Sequence, residues 1–264
     1  MTGSLSDRAV ISVSGPEAKS FLQGLITNDV QKLAPDAPLY AALLTPQGKI
    51  LFDFLLSETE DTMFLDCAAH SADGLLKRLT MYRLRARVEL ARRSELAVLW
   101  NLAQGLDDPR WPALGKRLVG APQGTDASTE YQTQRLALGI PEGADFGLDK
   151  MFALDAGLDE LHAVSFEKGC YIGQELTARM KHRGTARKRL LCIVAENGSD
   201  LPPSGTEVRA GSIALGEITA AYGQRGFALV RLDRWEEAGS SEIYAGATVV
   251  RVIKPEWLLA AGGS

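Results

Sequence analysis

The chain has 264 residues, a formal net charge of −4 and only three cysteines and three histidines. That length supports a large core shared among one to three domains, and the acidic balance argues against a protein organised around nucleic acid. Cys67, Cys170 and Cys192 form no CxxC pair, so neither a disulfide framework nor a self-contained metal site is expected.

The opening residues, MTGSLSDRAVISV, carry no secretory or transit pattern. No apolar run reaches the ~20 residues of a membrane-spanning helix. A bacterial-type cytoplasmic protein without membrane partners is therefore expected. RAVISVSG (8–15) alternates as a strand, and Gly-Pro opens a helix over EAKSFLQGLITNDV. LYAALLTPQGKILFDFLLSE (39–58) reads as a hairpin turning at Thr45–Gly48. A strand at 62–68, a helix at 71–84 and an alternating strand at 85–92 complete a split βαβ, ferredoxin-like order.

A further strand is expected at 95–102, and the Gly-, Pro- and Asp-rich stretch 105–128 reads as a loop. EYQTQRLALG (130–139) and IGQELTARMKH (172–182) have helical spacing. From Arg187 onward, short strands separated by Gly-rich turns predict a small β-barrel or sandwich.

Two residues stand out chemically. Asp53 interrupts KILFDFLLS, a run apolar on both faces, and a carboxylate there must be paired, hydrogen-bonded or protonated. It either serves a turn or a distant arginine, or faces a pocket and orients a ligand amine. Cys170 sits in KGCYIGQE between Gly169 and Gly173, two residues after Lys168 and just before the 172–182 helix. A lysine and a helix N-terminus both favour thiolate, the reactive form; the rival reading is a small half-buried hydrophobe at a turn. A single cysteine cannot hold an iron–sulfur cluster, which takes about four ligands. No metal is expected to bind stably, although Cys170 could ligate iron transiently. The basic run Arg179, Lys181, Arg183, Arg187, Lys188, Arg189 contains no acid and suits carboxylates or phosphates, or is a solvated face. Neither a Walker loop nor a GxGxxG fingerprint is present.

KGCYIGQELTARMKHRGTARKRL (168–190) resembles the signature of the YgfZ-type folate-binding iron–sulfur assembly and repair proteins and their mitochondrial counterparts. GPEAKSFLQGLITNDV (15–30), QGKILFDFLL (47–56), DPRWPALGKRL (108–118) and RLALGIPEG (135–143) are similar to other blocks of that family. The family is similar in fold to the aminomethyltransferase, or T-protein, of glycine cleavage. The resemblance implies an α+β fold with two interleaved ferredoxin-like lobes and a C-terminal β-barrel around a central hole that binds tetrahydrofolate. It places the lobes in 1–185 (approximately 15–95 with 163–185, and 1–14 with 96–162) and the barrel in 186–264.

By motif, Asp53 falls where the T-protein's acid works at the folate's reactive nitrogens. The T-protein's Gly-Tyr-Thr-Gly…Phe-Glu block is absent, and the 105–128 stretch lies in its place. The resemblance further implies folate contacts from Asn28, Asp29, Lys168, Tyr171, Gln174, Glu175 and Arg179, with Cys170 as the functional thiolate. The implied function is a tetrahydrofolate-dependent accessory factor in iron–sulfur cluster assembly or repair, partnered by scaffold or client proteins. A folate-dependent aminomethyl transferase and a non-catalytic folate-sensing docking module remain the rival classes. No complete catalytic constellation is visible, so whether the chain is an enzyme stays open.

Overall fold

The computed structural model describes residues 2–147, 149–184 and 187–261; the expected boundary at 185/186 lies outside the described residues. Strands Gly3–Ser4 (β1) and Arg8–Ser14 (β2) are followed by helix Ala18–Gln23 (α1), hairpin strands Leu39–Leu44 (β3) and Ile50–Thr59 (β4), and strand Thr62–Ala68 (β5). Helix Ala72–Arg83 (α2) and strand Glu89–Arg92 (β6) complete this unit. Its antiparallel sheet runs β3-β4-β5-β2-β6. That is the order of the expected ferredoxin-like unit, with β3 added at the outer edge. The helix expected to fill 16–30 ends at Gln23. Gly24 caps it, and Asp29 then caps a separate short 3-10 turn, Val30–Lys32. Ala9, Ile11 and Val13 of β2 join Phe54 and Leu56 of β4 and Leu75 and Leu79 of α2 in one core. The opposite face of the sheet carries Val10, Tyr40, Ala42 and Leu55 into a second core shared with the rest of the molecule.

The second unit is the sheet β1-β7-β9-β8, built from β1 with Ala97–Trp100 (β7), Leu106–Asp107 (β8) and Lys116–Gly120 (β9). Thr125–Asp126 (β10) leads into helix Ser128–Leu138 (α3). The stretch 105–128 is thus not a plain loop. Its strands are too short to show periodicity, and pairing of Val98 with Val119 and Leu99 with Leu118 organises them. The assignment of 1–14 to this unit is also corrected. Gly3 and Ser4 pair with Trp100 and Leu99, whereas Arg8–Ser14 lies between β5 and β6 of the first sheet. Alternation identifies a strand but not the sheet that receives it.

After helix Gln174–Arg183 (α4), the chain enters a closed six-stranded barrel in the order β11-β14-β13-β12-β15-β16. These strands are Lys188–Ala195, Glu207–Ala210 (β12), Ile213–Tyr222 (β13), Arg225–Arg231 (β14), Ile243–Ala245 (β15) and Thr248–Ile253 (β16), the first being β11. Leu191 and Ile193 of β11 fill the barrel, while Leu190 and Cys192 face the central core with Phe227. This two-sided burial explains the unbroken apolar run in RLLCIVA. Leu232–Ala238 (α5) and Glu256–Ala261 (α6) are helices not anticipated among the terminal strands.

Candidate functional site

Asp53 lies on the face of β4 turned away from α1 and α2, opposite Ala42 of β3. Tyr40 OH donates to its Oδ2 at 3.0 Å, and the Gly143 N–H donates to its Oδ1 at 2.9 Å. Burial raises its pKa, opposed chiefly by Arg8. The carboxyl forms part of the wall of a cavity of about 290 Å³ with Ile50, Leu51, Phe52, His70, Ser71, Gly143 and Phe146. That volume is at the lower edge of small-molecule sites, about 300–1,000 Å³. Each carboxylate oxygen has two lone pairs, so both retain acceptor capacity beyond their present bonds.

Behind Asp53 is a charge network that sequence reading missed. Arg110 donates to both oxygens of Asp108 and to Glu142 at 2.6 Å. Arg8 binds Asp66 at 2.6 Å, Arg117 bridges Asp66 and Asp108, and Arg135 binds Asp145 at 2.6 Å. Tyr131 OH donates to Glu142 at 2.8 Å, and the Arg110 guanidinium lies 5.3 Å from the centre of the Tyr40 ring. Burial alone would raise the Glu142 pKa. Arg8, Arg110, Arg135 and Arg117 overcome it and hold the carboxyl well below its ordinary value. The arginines come from three separate stretches of sequence, Arg110 and Arg117 sharing the block 108–118 with Asp108, and no local pattern connects that block to Arg8 or Arg135. A stronger hint was available in PEG (141–143): the glycine brings its N–H to Asp53.

Cys170 is exposed, whereas Cys67 and Cys192 are buried. Its loop is fastened at both ends. Lys168, only 7% exposed, donates from Nζ to the carbonyls of Ile26 at 2.8 Å and Asn28 at 2.7 Å. The same Nζ lies 5.2 Å from the centre of the buried Tyr171 ring. Burial lowers the Lys168 pKa to about 8, with Asp29 opposing. Burial likewise pushes the Tyr171 phenol up to about 12. At the far end, Gly173 has φ +85°, and a Cβ there would stand 2.5 Å from the Thr45 carbonyl oxygen. Glycine is required by both conformation and contact. The helix begins at Gln174, two residues later than expected, which leaves Cys170 four residues ahead of its first turn.

The other expected ligand contacts are dispersed. Asn28 is buried; its Nδ2 donates to the Tyr40 and His162 carbonyls, both at 2.8 Å, and its Oδ1 accepts from Asp29 N–H. Asp29 accepts from Gln23 Nε2 at 2.8 Å and from Gln31 N–H at 3.1 Å. Gln174 is half-buried, and Glu175 and Arg179 are exposed on α4. The structure therefore resolves two stations. Asp53 belongs to a cavity, and Cys170 belongs to a pinned loop outside that cavity's lining. Lys168, Asn28 and Gly173 serve the loop. Among the described residues, no three His, Cys, Asp or Glu side chains gather in a metal-binding arrangement. No helix of the described residues is long and apolar enough to cross a membrane.

Two family models match separate stretches of the chain. Residues 5–103 match the GCVT N-terminal domain, and residues 187–259 match the CAF17 C-terminal beta-barrel domain. The glycine cleavage system aminomethyltransferase T of Bartonella henselae superposes with a TM-score of 0.72 over 97% of this chain and 85% of its own, at 15% identity. The shared architecture is thus a mixed α/β aminomethyltransferase fold with a closed C-terminal barrel. The mitochondrial iron-sulfur cluster assembly factor IBA57 of Mus musculus is 32% identical, covering 96% of this chain and 84% of its own length. The human protein of that name is 31% identical, covering 88% and 77%. A Neurospora crassa homologue is 32% identical over 76% of this chain, which spans 56% of that relative's length. These relatives are all mitochondrial proteins, a finding that overturns the cytoplasmic expectation; lack of a visible targeting pattern was insufficient ground for it. At this identity and mutual coverage, the chain belongs to the IBA57 family of iron–sulfur cluster assembly factors.

Proposed function

We propose that this protein is a tetrahydrofolate-dependent factor in iron–sulfur cluster assembly or repair, of the YgfZ type, with Cys170 as its working thiolate. The observation that carries this reading is the exposure of Cys170 on a loop fixed by Lys168 and Gly173, while the other two thiols are buried. Ordering a loop costs conformational entropy, and here the ordered loop presents one sulfur to solvent. Iron or sulfide is cargo in this reading. Cys170 contributes one ligand or one exchangeable thiol, and an assembly scaffold or client protein contributes the others.

The aminomethyltransferase fold supports folate as the ligand of the Asp53 cavity. The lining fits a pteridine ring. Phe52 and Phe146 supply apolar and aromatic surface, and the buried carboxyl can accept from a ring N–H through its spare lone pairs. When bound, tetrahydrofolate supplies a reduced pteridine with reactive nitrogens. Tyr40 and Gly143 fix the orientation of the Asp53 carboxyl. Its raised pKa lets it hold a proton closer to neutrality than an exposed aspartate does.

Complementation tests the proposal. Host cells lacking the gene receive wild type, Cys170→Ser or Asp53→Asn, and cluster-dependent enzymes are assayed against cluster-free controls. Cys170→Ser should fail selectively on the cluster enzymes, and Asp53→Asn should lose tetrahydrofolate binding by calorimetry. Full rescue by Cys170→Ser would end the thiolate role; unchanged affinity in Asp53→Asn would remove folate from this cavity. Loss of aminomethyl transfer with intact cluster enzymes would favour the transferase class. Failure of Arg183→Glu/Lys188→Glu alone would favour a docking module.

A further inference from the structure

The segment 151–162 starts beside the Asp53 cavity, where the Met151 carbonyl accepts from Ile50 N–H, and then packs against α4 and the barrel. Two of its neighbours in sequence, Asp159 and Glu160, have side chains only 6% and 12% exposed. Asp159 Oδ2 accepts from Lys181 Nζ of α4 at 3.0 Å. Glu160 Oε1 accepts from Arg189 Nη2 of β11 at 2.5 Å, and Arg189 also donates to the Leu154 carbonyl. Each carboxyl therefore ties the segment to a different element.

Their remaining oxygens pose a problem. Asp159 Oδ1 and Glu160 Oε2 are both shielded from solvent, and neither meets an N–H or hydroxyl donor. Yet the two side chains belong to adjacent residues, and a hydrogen bond between them lowers the Asp159 pKa and raises that of Glu160. Two ionised carboxylates in that contact would repel, and both oxygens would stay desolvated and unpaired. One proton resolves both difficulties at once, because it converts the contact into a charge-assisted O–H···O⁻ bond.

We infer that Asp159 and Glu160 share one proton, and that this proton forms a pH-sensitive latch joining α4, the 151–162 segment and the barrel. The charged groups acting on the pair are Lys181 from α4 and Arg189 from β11; Arg189 also acts on Asp155 of the same segment, as does Lys188. From α6, uncharged Trp257 packs beside Gly157, next to Glu160 Oε2. Lys181 is 53% exposed, so water screens much of its ability to hold both carboxyls ionised. Burial and the bond from Asp159 raise the Glu160 pKa. For Asp159, burial is outweighed by the bonds from Glu160 and Lys181, and its pKa falls. The proton accordingly resides on Glu160 Oε2 and is donated to Asp159 Oδ1.

The sign follows from the raised value. The latch is complete below the ordinary glutamate pKa, about 4.3, and is lost as pH rises through the raised folded-state pKa of Glu160. Loss removes the bridge between α4, whose start follows the Cys170 loop, and the strand that enters the barrel.

The test uses the full chain. Carbon-13 labelling of glutamate carboxyls should show one resonance in wild type that titrates far above the others and disappears in Glu160→Gln. Glutamine keeps a donor toward Asp159 without a proton to lose. Thermal midpoints measured from pH 5 to 9 should diverge up to about pH 8 and run parallel above it, wild type losing up to tenfold in folding constant per pH unit relative to Glu160→Gln within that window. Hydrogen exchange in α4 should accelerate with pH in wild type only. If every glutamate of the wild-type protein titrates below about pH 5.5, the shared proton does not exist, whatever the variant does. A pH-independent stability difference between the two proteins would equally overturn the latch.

Discussion

Replacing Glu142 by glutamine tests whether the buried network holds the molecule together. Four guanidiniums (Arg8, Arg110, Arg117 and Arg135) are matched by four carboxylates (Asp66, Asp108, Glu142 and Asp145). Glu142 is the hub, accepting from Arg110 at 2.6 Å and Tyr131 at 2.8 Å, with Arg8 and Arg135 each at 3.6 Å. Glu142→Gln preserves shape and leaves one positive charge in excess in a buried region. Removing one partner of a buried ion pair costs about 3–5 kcal/mol. For a chain of this size each kcal/mol moves Tm by about 2–4 °C, so a fall of about 6–20 °C is expected. Thermal unfolding at pH 7, followed by tryptophan fluorescence, measures it, with the exposed Glu236→Gln as a control expected within about 0.5 kcal/mol of wild type. A fall of less than about 2 °C would show that the network neither needs its charge balance nor depends on this carboxyl.

Acid should act through the same groups. Burial would raise the pKa values of Glu142 and Asp108, but their arginines lower both, so the stability they contribute is present above the ordinary carboxylate range and is lost as pH falls through it; a Tm series from pH 6 to 2 should decline less steeply in Glu142→Gln. Burial pushes the Cys67 thiol up to about 12 and raises Cys192 as well, so a disulfide reagent at pH 8 should titrate one thiol in the native protein and three in denaturant; rapid reaction of two native thiols would contradict the assigned burial. Gly173 and Gly184 both have positive φ, but only at Gly173 would a Cβ meet backbone. Gly173→Ala should therefore destabilise by about 1–3 kcal/mol and more than Gly184→Ala, by urea unfolding; equal effects would show that the Thr45 contact yields freely.

The sequence exposes some of this architecture and conceals the rest for identifiable reasons. The alternation in Arg8–Ser14 and the turn at Thr45–Gly48 are local, and local signals locate strands and hairpins. The receiving sheet of Arg8–Ser14 depends on a partner at residues 62–68, which no local pattern names. Asp53 was conspicuous because a charge broke an apolar run, and its cavity position gives that charge a surface to face. Lys168 looked like a neighbour that would tune Cys170, but its ammonium turns to the carbonyls of Ile26 and Asn28, 142 and 140 residues away in the chain. Arg110 was hidden inside a stretch whose prolines and glycines suggested a solvated loop, yet it is wholly buried. Composition reported the backbone breaks there and not the destination of the side chain.

The contacts of Arg135 bear on how such proteins can be rearranged in evolution. Its guanidinium stacks near Tyr222 at 5.7 Å and Phe227 at 5.6 Å, both barrel residues, and Tyr222 OH donates at 2.7 Å to Asp145, the ion-pair partner of Arg135. The barrel's matched domain reads as a separable module in sequence, but this seam ties it to residues 135 and 145, which lie between the two matched stretches and become its hereditary companions. A barrel grafted from a distant relative would have to bring an aromatic pair suited to Arg135 and a hydroxyl suited to Asp145. Recombination at the junction near residue 187 should therefore succeed between parents that share these four positions and fail between parents that do not, even when each parental domain folds within its own chain.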